Sequence, residues 1–228
     1  MFVRILLLLL AALALSGCKF RTYTDLYISD LEEVAAGKAS RMDASILISI
    51  QVPTPDECRE KAGEVVTLLA RYFGKTQFHQ CARDGFEDYL VVRGNVPVLR
   101  AAGADAVIRK DRGFLYFIVE RKASGIVVHP RLVTDRYRGF QALVSRRYSM
   151  QIDAEDVSMG VVLRNDGRGE RQVEVCGVYA DQQAVPFCGA TTVPRRRYLD
   201  LQLSTILTRY LLKHGRNAIP LITVKVAQ

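Results

Sequence analysis

Residues 45–74 read SILISIQVPTPDECREKAGEVVTLLARYFG, and two structural periods meet inside them. Ile46, Leu47, Ile48 and Ile50 make Ser45 to Val52 a strongly apolar run of strand length. Pro53 and Pro55 end it, because proline has no N–H to give a ladder. Asp56 and Glu57 then open a helix, since acidic groups favour its positive end. Ala62, Val65, Val66, Leu69, Tyr72 and Phe73 trace an apolar stripe that Gly74 closes. A strand passing through prolines into an amphipathic helix is a β-α step. With strands at Thr76 to Cys81 and Asp88 to Val92 it predicts a β-α-β-β unit.

Towards the N-terminus, Phe20, Thr22, Thr24, Leu26 and Ile28 alternate as a strand does, and Ser29 or Asp30 can cap a short helix, Leu31 to Ala36, ended by Gly37. Residues 18–108 are therefore expected to form an α/β sandwich domain. Towards the C-terminus the character changes. Phe114 to Glu120 and Gly125 to His129 read as a hairpin turned at residues 122–125, followed by Tyr137, Phe140, Val144 and Tyr148 near helical spacing. Strands follow at Val157 to Arg164, Gln172 to Tyr179 and Ala184 to Cys188, with a turn at Asn165-Asp166-Gly167, whose residues tolerate positive φ. Tyr198 to Leu203 is a half-buried strand, Ser204 caps a helix from Thr205 to His214, and Ile219 to Val226 is a last strand. The expected fold class is α+β: the sandwich of residues 18–108, then a basic, mainly β, sandwich-like domain over 109–228 with a crossover helix.

The first residues carry a different signal. A short start with Arg4 precedes an unbroken apolar stretch, Ile5 to Leu15, too short for a spanning helix of roughly 20 residues and suited to an export signal. It ends in Leu15-Ser16-Gly17-Cys18, which resembles the lipobox of bacterial lipoproteins. The resemblance implies a signal peptide over 1–17, diacylglyceryl and fatty acyl (palmitate-type) groups on Cys18, and a membrane anchor. Lys19 in place of Asp after that cysteine implies the outer membrane, facing the periplasm.

Without Cys18, an even set remains: Cys58, Cys81, Cys176 and Cys188. In an exported chain they read as two disulfides with three possible connectivities, of which local pairing, Cys58 with Cys81 and Cys176 with Cys188, is the simplest. A four-thiolate zinc site is the alternative, weakened by the lack of a C-x-x-C knuckle.

No catalytic spacing stands. His79, His129 and His214 are far apart with no H-E-x-x-H, Gly167-Arg168-Gly169 lacks the third glycine of a dinucleotide loop, and Asp153, Glu155 and Asp156 read as a solvated loop. No G-x-S-x-G elbow occurs. No catalytic residue, metal ligand or cofactor is assigned.

Charge is the remaining signal. Residues 19–108 hold 11 basic and 13 acidic side chains, residues 109–228 hold 20 and 11, and the whole chain is +8. The excess is largely Arg, including Arg146-Arg147 and Arg195-Arg196-Arg197, whose guanidinium forks match phosphate and carboxylate. In a periplasmic protein this favours lipid head groups, lipopolysaccharide or an acidic protein surface over nucleic acid. The Thr24 to Leu31 stretch, TDLYISDL, with the Cys-bearing helix and strand, also resembles lipoproteins of bacteriophages and prophages, which implies an envelope role such as exclusion of competing phage or lysis. The expected function is a membrane-anchored, non-enzymatic binding module with a basic face. An envelope enzyme with a non-local site is the alternative.

Overall fold

The computed structural model describes residues 19–148 and 150–225. The alternating segment at the start forms β1 (Phe20–Tyr27), and the apolar run forms β2 (Arg41–Val52), joined by α1 (Ile28–Ala35). The two strands are antiparallel, with Phe20 opposite Ile50 and Thr24 opposite Ile46. Every second residue of β1 from Phe20 to Leu26 is buried, and so is every second residue of β2 from Ala44 to Val52, the period of a strand with one face in a core. The proline step leads into α2 (Pro55–Leu69), where Thr54 accepts a hydrogen bond from the Glu57 N–H as N-cap and Pro55 sits in the first turn.

β3 (Gly74–Asp84) and β4 (Glu87–Arg100) form a hairpin over the two-residue turn Gly85-Phe86, with Gly85 at φ +61° in the left-handed region that such a turn demands. β4 is longer than its apolar centre suggests. It runs the full length of β2, and its last residues pair in parallel with β5 (Leu115–Lys122) after a crossover through α3 (Ala104–Lys110). β6 (Gly125–Leu132), α4 (Thr134–Tyr148), β7 (Val157–Arg164), β8 (Arg171–Ala180), β9 (Gln183–Val193), β10 (Tyr198–Leu203), α5 (Thr205–His214) and β11 (Ile222–Val224) complete the chain order.

Pairing closes these strands into a nine-stranded β-barrel in the order β10-β7-β1-β2-β4-β5-β6-β11-β8, with β8 returning to β10. β9 occupies the whole of one edge of β8, so β10 and β11 share its other edge end to end, with α5 looping out between them. The two sandwiches expected from the sequence are thus corrected to one barrel within an α+β protein. Strands on either side of residue 108 share one sheet and one continuous core, so the boundary expected there falls between β4 and β5 of the same wall. The physical reason is that β1 pairs with β7 in parallel along its entire length.

Apolar side chains fill the barrel. Thr22, Thr24, Leu115, Phe117, Met159 and Leu203 meet around a void of about 10 Å³, room for about one water. The outward positions of β1 and β2 are mixed, with Arg21, Asp25, Ser49 and Gln51 beside Tyr23 and Leu47. Among the described residues no helix is long and apolar enough to cross a membrane.

Helices close the ends. α1 buries Ile28, Leu31, Val34 and Ala35 against β1, β2, β4, β5 and β6. At the end where β1 begins, α4 lays Phe140 against Phe20, ring centroids 5.4 Å apart, and Phe114 joins Tyr72, Phe73, Tyr137 and Phe140 in one aromatic plug. A small second core outside the barrel packs α3 residues Ala104 and Ile108 on Leu99 and Tyr116. Arg136 ties it down by donating to Ile108 O at 2.8 Å and Gly113 O at 2.9 Å, and burial pushes the Tyr116 hydroxyl up to about 12.

Candidate functional site

The parallel pairing of β1 with β7 gives the barrel two distinguishable poles. Phe20 lies beside Val157 and Tyr27 beside Arg164, so the starts of both strands share one pole and their ends the other. Seven residue steps at roughly 3.3 Å each separate these levels by about 23 Å along the strand.

The far pole, where β1 and β7 end, gathers cations. After β7, Asn165 is buried and ties two loops together: its Nδ2 donates to Gly169 O at 2.9 Å and Val193 O at 2.8 Å, and its Oδ1 accepts from Gly167 N at 3.1 Å. Its backbone is bonded to the Arg195-Arg196-Arg197 turn, Asn165 N to Arg197 O at 2.9 Å and Arg196 N to Asn165 O at 2.8 Å. All three arginines of that turn are exposed, and Arg196 takes a left-handed φ of +58°. Among the described residues no carboxylate lies within ion-pair distance of Arg168, Arg195, Arg196 or Arg197.

Next to these loops, a cleft of about 430 Å³ opens between α1, the end of β5 and the starts of β6 and β8. Lys38, Arg121, Arg171 and Lys225 line it against Glu32 and Glu33. Arg171 is held at its base, with 23% of its side chain exposed, donating from Nη2 to Glu32 at 3.1 Å while Nε is buried without a partner. Lys225 pairs with Glu174 at 2.9 Å, whereas Lys38 and Arg121 have no carboxylate within ion-pair distance among the described residues. Asp166 links cleft and loops by accepting from the backbone N–H of Ser29 at 3.1 Å and from its hydroxyl. A mixed cleft with a cationic excess suits a polyvalent anion, which the free cations can meet while the paired ones stay fixed. No single segment announces this cleft: its lysines and arginines come from α1's exit, β5, β8 and β11, which only ring closure brings together.

The residues singled out in the sequence are divided between the poles. Arg195, Arg196 and Arg197 lie at the far pole. Arg146 and Arg147 end α4, beside the apolar gap shared by Ile50, Val52, Val65 and Leu68, at the opposite pole; Arg147 is paired with Glu64 of α2 and Arg146 turns back on its own helix at Ala142 O. The two basic clusters expected to form one face are therefore separate. Cys58 is bonded to Cys81, with Cα atoms 6.1 Å apart, and Cys176 to Cys188, with Cα atoms 4.0 Å apart, as local pairing predicts. Glu174 lies near the second pair, but sulfurs joined in a disulfide offer no thiolate to a metal. Cys18 and residues 1–17 lie outside the described residues. The histidines are dispersed: His79 is exposed on β3, His214 ends α5 with its ring 4.4 Å from that of Tyr210, and His129 is half-buried on β6, where burial lowers its pKa below the ordinary value.

Asn165→Ala is expected to leave Gly169 O, Val193 O and Gly167 N without their side-chain partner, costing about 2 kcal/mol and loosening both Arg-bearing loops together. Urea denaturation reads the first effect and limited trypsin cleavage at Arg168 and Arg195 to Arg197 the second. Unchanged cleavage would show that Asn165 does not organise the pole.

The architecture is a helix-plugged α+β barrel with a cationic far pole. The chain belongs to the family described as a domain of unknown function, DUF7424, whose model matches residues 20–226 and so takes in the whole barrel. No curated protein and no solved structure matches it.

Proposed function

We propose that the protein is a lipid-anchored periplasmic binding module that holds its cationic far pole towards an anionic partner and does no chemistry of its own. The lipobox supplies the anchor at Cys18, and Lys19 favours the outer membrane. The observation that carries the reading is polarity: β1 starts at Phe20, two residues after Cys18, while the Arg195 to Arg197 turn and the cleft lie about 23 Å up the wall. A body tethered so closely has a near side and a far side.

This geometry revises one part of the expected partnership. With barrel strands tilted about 40° to the axis, that length raises the cations about 18 Å above the near pole, some two Debye lengths of about 8 Å at physiological salt, and they gain little from the head groups beneath. The partner is therefore an anionic surface or molecule on the other side: phosphate groups of another membrane or an acidic protein face. A phage or prophage setting remains a resemblance of sequence and adds no residue to the site.

Two vesicle populations test this. With the lipidated protein in neutral phosphatidylcholine vesicles, added phosphatidylglycerol vesicles are expected to be tethered at low salt and released near half-molar salt. Replacing Arg195, Arg196 and Arg197 by Ser is expected to weaken tethering at least fivefold. Cys18→Ala, which removes the anchor, should abolish it and leave the protein free of the neutral vesicles. Salt-insensitive tethering, or a triple variant that tethers normally, would remove the far pole from the function.

A further inference from the structure

The pole where β1 begins holds an unusual side chain. Phe86, at the tip of the β3-β4 hairpin, is fully exposed, so the whole ring is available to bury against an apolar partner. The tip is fixed against the first described residues: Lys19 is paired with Glu87, and Arg21 with Asp84 at 2.6 Å and with Glu87 at 3.4 Å. Arg21 also lies over the Tyr89 ring, 4.4 Å from its centroid, and Arg83 is paired with Asp88 at 3.0 Å. The carboxylates flanking Phe86 are thus matched by cations, which lowers the cost of bringing the tip to a membrane interface. Lys19 is the residue covalently next to Cys18.

From this clamp we infer that the hairpin tip is a second membrane contact, with Phe86 inserted among the lipid head groups and upper acyl chains beside the lipid on Cys18. The inference rests on the anchor reading and goes beyond it. Acyl chains alone leave a body free to swivel about a single sulfur. An aromatic ring at interface depth, clamped by two basic residues to the strand that follows the anchor, sets its tilt. Burying the ring adds roughly tenfold to membrane residence time. It also holds the cationic pole away from the anchoring bilayer.

The chain has no tryptophan, so one can be introduced as a sole reporter. The full lipidated chain carrying Phe86→Trp is reconstituted into neutral phosphatidylcholine vesicles, which the cationic pole does not tether, and the mass of its lipid is measured on the same sample. Blue-shifted emission, quenching by lipids brominated high on their acyl chains and protection from aqueous iodide are expected. Tyr198→Trp, beside Arg164 at the far pole, is expected to stay open to iodide. If Cys18 carries lipid and the Phe86→Trp indole behaves as the far-pole one does, the anchor stands and this inference alone is overturned. If Cys18 is unmodified, the anchor reading fails and the inference falls with it. Phe86→Ser in the lipidated chain should shorten membrane residence about tenfold with no change in the urea midpoint, and an unchanged residence time counts against it.

Discussion

Phe114→Ala is expected to destabilise the barrel by roughly 3–5 kcal/mol, a large fraction of the 5–15 kcal/mol typical of a folded domain. Phe114 is wholly buried and its ring meets those of Tyr72, Phe73, Tyr137 and Phe140 at centroid distances between 5.1 and 5.5 Å. Those partners come from the exit of α2 and from α4, so the ring joins two helices to the mouth of the barrel. Truncation loses the transfer energy and leaves a cavity that two anchored helices cannot both collapse into. Urea denaturation monitored by near-ultraviolet circular dichroism of the tyrosines measures the effect. Phe86→Ala, at a fully exposed tip, is the matched control and should leave the midpoint where it is. A loss below about 1 kcal/mol for Phe114→Ala would show that the plug is not part of the cooperative core.

Replacing Cys58 and Cys81 together by Ala is expected to cost about 3.5 kcal/mol in the chain-entropy model, for a loop closed between residues 23 apart. The bond ties α2 to β3, and β3 is the more vulnerable partner: it pairs with β4 alone, through two register shifts, and most of its residues are exposed. Its contacts with α2 and β4 hold it less firmly than the barrel strands are held. The loss should therefore show as two effects, a lower global midpoint and early hydrogen exchange confined to residues 74–84. A variant whose exchange rises evenly over the barrel would contradict this local role. Reduction of the wild-type protein should reproduce the double replacement, with the Cys176–Cys188 bond adding a smaller share through its shorter loop.

Short-range signals carried much of this structure. The Ser45 to Val52 run, the proline step, the capped helix at Ser204 and the Asn165-Asp166-Gly167 turn are each written in a few neighbouring residues, and each lies within a residue or a few of the observed element. Chain neighbours also suffice for the disulfides, because both join elements adjacent in sequence. Partners far apart in sequence were not legible. Nothing in the β1 pattern names β7 over β6 as its neighbour, since a strand buried on one face alternates the same way whatever lies beside it. The short α3, opened by Gly103 at φ +93°, was invisible because about two turns give too few apolar positions to show a period. The cleft was missed for the first reason: Lys38, Arg121, Arg171 and Lys225 are ordinary surface cations until the ring closes.

Ring closure also dictates an order of events. β11 joins β6 to β8, and β1 keeps one edge open until β7 arrives, so no stretch ending before residue 222 can complete the wall. Folding dominated by such distant pairings is slow, because loop entropy is spent before the contacts that offset it exist. A partial chain of this design can pair β1, β2, β4, β5 and β6, but the outer edges of β1 and β6 stay open and the ring unclosed until the later strands arrive. Were the chain exported as a thread, as the proposed anchor requires, the same topology that closes the finished barrel would postpone that closure until the thread had passed through.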